Sequence, residues 1–117
     1  MKEFAYFLDS FQLFSTEWIE CEGCIVNTDW DNVEKFVNKK LKENMSRRDI
    51  ELSINHIHVS PLLEMYGCSC TKQHRSTFTT LCIAIIYYRL KIKYPNKEFN
   101  FEKVEDAKET TIRYCQK

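Results

Sequence analysis

Glycine is nearly missing from this chain: two in 117 residues, with only two prolines. Loops that cradle phosphate need several glycines, because backbone amides must face the ligand at close range. P-loop and dinucleotide-binding architectures are thereby excluded. The chain also lacks a long apolar run, since the longest, 81–88 (LCIAIIYY), falls far short of the ~20 residues that span a bilayer. The opening MKEFAYFLDSF carries Glu3 and Asp9 inside its apolar stretch and no small-residue cleavage site, so it does not read as a secretory signal. A soluble, cytoplasmic protein is expected. In that compartment the six cysteines are more often thiols or metal ligands than disulfides. No motif names a reaction, and a non-enzymatic protein is the expectation.

What is present is an apolar, aromatic chain: 44% hydrophobic and 14% aromatic, with eight Phe and six Tyr. At this length one domain, 1–117, buries roughly two-thirds of its unfolded surface without staples. The chain is organised around 76–94, STFTTLCIAIIYYRLKIKY, whose spacing predicts a helix buried on most sides, capped by Ser76 and stopped by Pro95. An amphipathic helix is predicted over 3–14 from Phe4, Phe7, Leu8, Phe11 and Phe14. Another runs from the capping-box-like Thr28/Asp31 start to about Glu43. Strands are predicted within 17–26, over Ile50–Ile54, where apolar and polar residues alternate, and as a C-terminal hairpin around Glu105–Lys108. The apolar phase slips at Asn55–His56, which suggests a bulge or strand end. Together these give an α+β domain of two layers, about three helices on one mainly antiparallel sheet of three or four strands.

The zero net charge hides a division. Residues 1–34 hold eight acidic residues against one basic, and 35–97 hold twelve basic against four acidic. If the segments occupy separate faces, the molecule has a marked charge dipole.

Three groupings carry candidate chemistry. Gly23 lies within Cys21–Cys24 and Gly67 precedes Cys68. Metal knuckles use tight turns of positive φ, which glycine adopts freely, so Cys21, Cys24, Cys68 and Cys70, or three of them with His74, are candidate ligands of a structural zinc. The second pair is Cys-x-Cys, not the expected Cys-x2-Cys. Ordinary thiols in and beside the core are therefore preferred, and no cofactor is expected. His56 and His58 share one side of a regular strand and are candidates for metal or acid–base work, but no local carboxylate partners them. Lys35, Lys39, Lys40, Lys42, Arg47 and Arg48 form a basic segment that could meet nucleic acid; the acidic first third argues against it, as it would repel phosphate.

The acidic segment is the more suggestive. Glu17, Glu20, Glu22, Asp29, Asp31 and Glu34 fall within eighteen residues, interleaved with Trp18 and Trp30. Carboxylates around aromatics suit a basic protein partner: charge orients and speeds association, and a tryptophan supplies the desolvated anchor. In this respect the chain resembles the small immunity proteins that bacteria encode beside polymorphic toxins, such as those of contact-dependent growth inhibition. The resemblance is one of type, a compact α+β domain with an acidic surface segment and no enzyme motif. It implies a protein that neutralises a cognate toxin, a nuclease being such a basic partner, by occluding its active site. A zinc-stabilised nucleic-acid- or protein-binding module using residues 35–48 is the alternative.

Overall fold

In the computed structural model residues 16–65 and 71–117 are described. In chain order these hold strands β1 (Trp18–Cys21) and β2 (Cys24–Asn27), helices α1 (Val33–Lys42) and α2 (Arg47–Ile54), strand β3 (His56–His58), helices α3 (Val59–Met65) and α4 (Lys72–Lys93), and strands β4 (Phe99–Glu105) and β5 (Thr110–Gln116). The fold is α+β, as the sequence predicts. Instead of one sheet it has two: the β1–β2 hairpin and an antiparallel sheet of order β3-β5-β4. The helix predicted over 3–14 lies outside the described residues.

Glu22 and Gly23, both at positive φ, make the two-residue turn of the first hairpin and pair Cys21 with Cys24. Two consecutive positive-φ residues give the primed turn whose twist matches the flanking strands. A Cβ at Gly23 would stand 2.8 Å from Arg47 Nε, so a larger residue would also displace that exposed side chain. That guanidinium donates to Glu22 O at 2.7 Å.

Every residue of β2 is buried, because the hairpin lies between two cores. On one face Trp18 and Ile25 join Ile57, Ile86, Leu90, Phe99, Ile112 and Tyr114, the core that α4 closes over the three-stranded sheet. On the other face Cys24 and Val26 pack on Val33 and Val37 of α1 and Ile50 and Ile54 of α2.

Residues 50–54 are helix, not the predicted strand. Ser46 caps α2 by accepting from Asp49 N at 3.1 Å, and the i, i+4 pair Ile50/Ile54 fills the second core. The alternation misleads because a third face of this helix is also buried, by Glu51 and Leu52. The phase slip at Asn55–His56 is the junction from α2 to β3, and no bulge is needed to explain it. Helix α1 starts at Val33, with Asn32 as its N-cap and no side-chain capping bond, so Thr28 and Asp31 are not its cap. It ends in a Schellman motif: Asn44 stands at φ 65, Asn44 N donates to Leu41 O, and Met45 N donates to Lys40 O.

Helix α4 begins earlier than predicted, capped by Thr71, whose hydroxyl accepts from His74 N at 3.1 Å. It is buried along one stripe, Arg75, Thr79, Cys82, Ile86 and Leu90, and not on most sides: Leu81, Tyr88 and Ile92 are exposed. The C-terminal hairpin forms as predicted. Asp106 Oδ1 accepts from the amides of Lys108 and Glu109, each at 2.8 Å, and fixes its turn.

Candidate functional site

The two sheets are joined through polar side chains of α2. The outward edge of β2 has no partner strand among the described residues, and Glu51 and Asn55, one helical turn apart, stand in for one. Ile25 N donates to Glu51 Oε2 at 2.7 Å. Asn55 Nδ2 donates to Ile25 O at 2.9 Å, and Asn55 Oδ1 accepts from Asn27 N at 2.9 Å. Glu51 also receives Gln116 N at the end of β5. Buried backbone groups must be paired, and these two side chains pair them.

Asn27 continues the construction outward. Its Nδ2 donates to Ile54 O at 3.0 Å and its Oδ1 accepts from Asp29 N at 3.1 Å. The segment Thr28–Asn32 is thereby held against α2, and it presents Trp30. The indole stands edge-on to Phe36 at 5.2 Å between ring centroids and to His56 at 6.3 Å. It is 38% exposed.

Beside Trp30 opens a groove of about 960 Å3. Ile19, Trp30 and Val33 supply apolar lining, Glu34 and Glu43 carboxylates, and Lys35, Lys39 and Lys42 ammonium groups. Of the acidic segment's carboxylates Glu34 lines this groove, beside Lys35, Lys39 and Lys42 of the basic segment, while Glu17 lies by Arg89 and Lys93.

The sequence candidates divide. Trp18 is not a surface anchor: it is 2% exposed, its Nε1 donates to Tyr114 Oη at 3.0 Å, and the Arg89 guanidinium lies 4.9 Å over its ring. Tyr114 is buried with it, which pushes that phenol's pKa up. Glu17 is exposed but serves internal pairs, 3.7 Å from Arg89 and 4.0 Å from Lys93. The same two cations bind the backbone beside β1, Arg89 at Thr16 O and Lys93 at Trp18 O. Glu20, Glu22, Asp29, Asp31 and Glu34 are exposed. Among the described residues no ion pair engages them. Partial burial raises the Asp29 pKa from its ordinary value, and the Thr16 hydroxyl opposes that shift.

Cys21 and Cys24 face the second core from adjacent positions on the hairpin. Burial, then Glu34 and Glu22, raise the Cys21 pKa, while burial, then Glu51, push Cys24 up to about 11. Both thiols keep their protons at neutral pH. Cys68 and Cys70 lie outside the described residues. Among the described residues no three His, Cys, Asp or Glu side chains are grouped to hold a metal ion.

His56 and His58 do stand together, their ring centroids 5.2 Å apart, on the face of β3 turned from the core. Burial, then His58, lower the His56 pKa, while its bond to Ser53 O acts the other way. Sequence reasoning missed Glu51 and Asn55, whose only local signal is their i, i+4 spacing, and it missed the approach of Trp30 to His56. No protein-family profile, curated protein or solved structure matches the chain.

Proposed function

We propose that this protein is a non-enzymatic, soluble cytoplasmic inhibitor of the immunity-protein type, which occludes the active site of a cognate basic toxin, a nuclease by preference, through the surface around Trp30. The observation that carries the reading is the half-exposed indole at the mouth of an open groove, with Asp31 and Glu34 exposed beside it. A rigidly held aromatic with a charged surround is what a protein interface uses as an anchor. The five exposed carboxylates Glu20, Glu22, Asp29, Asp31 and Glu34 steer a basic partner toward it. Lys35, Lys39 and Lys42 in the same groove fit a partner that also presents carboxylates, as phosphate-cleaving sites do when they place metal-binding acids among basic residues.

The same three lysines favour a second reading, in which the groove takes a nucleic-acid strand with Trp30 as a stacking platform. Capture from a nuclease-treated and an untreated lysate of the source cell separates the two, using the chain and a matched bait carrying Glu20→Lys, Glu22→Lys, Asp31→Lys and Glu34→Lys. One stoichiometric basic protein on the first bait, absent from the second and indifferent to nuclease treatment, is expected. Nuclease-sensitive capture that increases on the charge-reversed bait would replace the inhibitor with the nucleic-acid binder.

A further inference from the structure

The outward face of the three-stranded sheet carries a second cluster, which the Trp30 groove does not use. His56 and His58 lie at alternate positions of β3, and in register with them on β5 stand Arg113 and Thr111. His56 Nδ1 is 3.0 Å from Ser53 O. A carbonyl can only accept, so Nδ1 carries the proton and Nε2 keeps its lone pair. His58 Nδ1 is engaged by Thr111 Oγ1 at 3.3 Å. Each ring is thus held by one nitrogen and leaves the other for a ligand. Metal-binding histidines are held in this way, their second nitrogen fixed by a carbonyl or another polar group.

The spacing of the rings agrees. Two imidazoles sharing one tetrahedral ion, each with a metal–nitrogen distance of about 2.1 Å, have centroids roughly 5 Å apart. Here the centroids are 5.2 Å apart, with the ring planes at 76°. Arg113, across the ladder from His56, is ion-paired with Glu102 of β4.

We propose that His56 and His58 form a binding site for a divalent late first-row metal ion of the zinc and nickel class, held by their two Nε2 atoms with the remaining positions open to water or to a donor on a partner. Imidazole is the ligand such ions prefer among neutral side chains. Two protein ligands make a weak, exchangeable site, distinct in kind from the four-thiolate zinc site that the cysteine spacing raises.

Ni2+ is the probe, since it is paramagnetic and quenches a nearby indole, and Trp30 stands 6.3 Å from His56. Addition of Ni2+ to the full chain, kept reduced, is expected to quench tryptophan emission along a saturable single-site isotherm below millimolar Ni2+. His56→Gln and His58→Gln should each weaken this by about tenfold or more, with far-UV circular dichroism unchanged. Cys68→Ser/Cys70→Ser should leave it intact, and Trp30→Phe should remove the optical signal while calorimetry with Zn2+ still finds one ion. No saturable response up to millimolar Ni2+, an unchanged response in both histidine variants, or a response lost only in the cysteine variant would overturn the site.

Discussion

Glu51 and Gln116 are bound to each other twice: the Gln116 amide donates to Oε1 at 2.8 Å and its side-chain Nε2 to Oε2 at 2.6 Å. Since Oε2 also receives Ile25 N, one buried carboxylate ties the last strand to the first hairpin. Glu51→Gln keeps the shape but turns an amide NH2 toward a donor, and should cost ~2–3 kcal/mol. Glu51→Leu, which leaves the Ile25 and Gln116 backbone amides without their acceptor, should cost more. Urea unfolding midpoints measure both, and a Glu51→Gln midpoint equal to wild type would deny the carboxylate this role.

Asn55 should behave as its partner. Asn55→Ala unpairs Ile25 O and Asn27 N together, for an expected loss of ~2–4 kcal/mol. Because both side chains act on one strand edge, the double variant with Glu51→Gln should lose less than the sum. Strict additivity would mean that the two act independently.

The two tryptophans should separate stability from binding. Trp18→Phe removes the bond to Tyr114 Oη and should cost ~1–2 kcal/mol without altering partner affinity. Trp30→Ala should do the reverse, with a melting temperature near wild type and affinity reduced ~30-fold or more, the effect of a ~2 kcal/mol anchor. Thermal melts and binding isotherms on the same two variants check the assignment, and an exchange of the two phenotypes would refute it.

Alkaline pH should destabilise the fold through Cys24. Its ordinary pKa of 9.0 rises to about 11 in the folded protein, so between those values the folded chain holds a proton that the unfolded chain has lost. Stability is then full below the lower value and falls as pH rises, by ~2–3 kcal/mol when the titration is complete. Cys24→Ala, less stable at neutral pH, should show a shallower decline when urea midpoints are followed across this range. Parallel declines for variant and wild type would remove Cys24 from the account.

What the sequence made legible was whatever rested on local rules. The C-terminal hairpin was readable from alternation about a turn, and α1 from the apolar stripe of Val33, Phe36, Val37 and Leu41, although its start was misplaced. The strand predicted over Ile50–Ile54 failed because period-two alternation and a helix buried on three faces put apolar residues at the same positions. The Ser46–Asp49 cap was the local evidence for helix, but the polar run in which it sits reads equally as a loop. For α4, composition exaggerated burial: its aromatic and isoleucine content exceeds what a single stripe needs. The candidate site was half legible. Trp18 and Trp30 have the same acidic surroundings in sequence, and only the long-range pairing of Trp18 with Tyr114 decides which of them is core. That contact spans most of the chain, so no local pattern could announce it.

The measurement that bears most directly on the inhibitor reading is the dissociation constant of the captured basic protein for the wild-type chain and for the Asp31→Lys/Glu34→Lys variant with Trp30→Ala. All three positions lie on exposed surface, so the folded state should persist in the variant. A loss of ~100-fold or more is expected, with wild-type affinity itself falling as salt rises because charge steers the encounter. Equal constants for the two proteins, at unchanged melting temperature, would contradict it and move the interface away from Trp30.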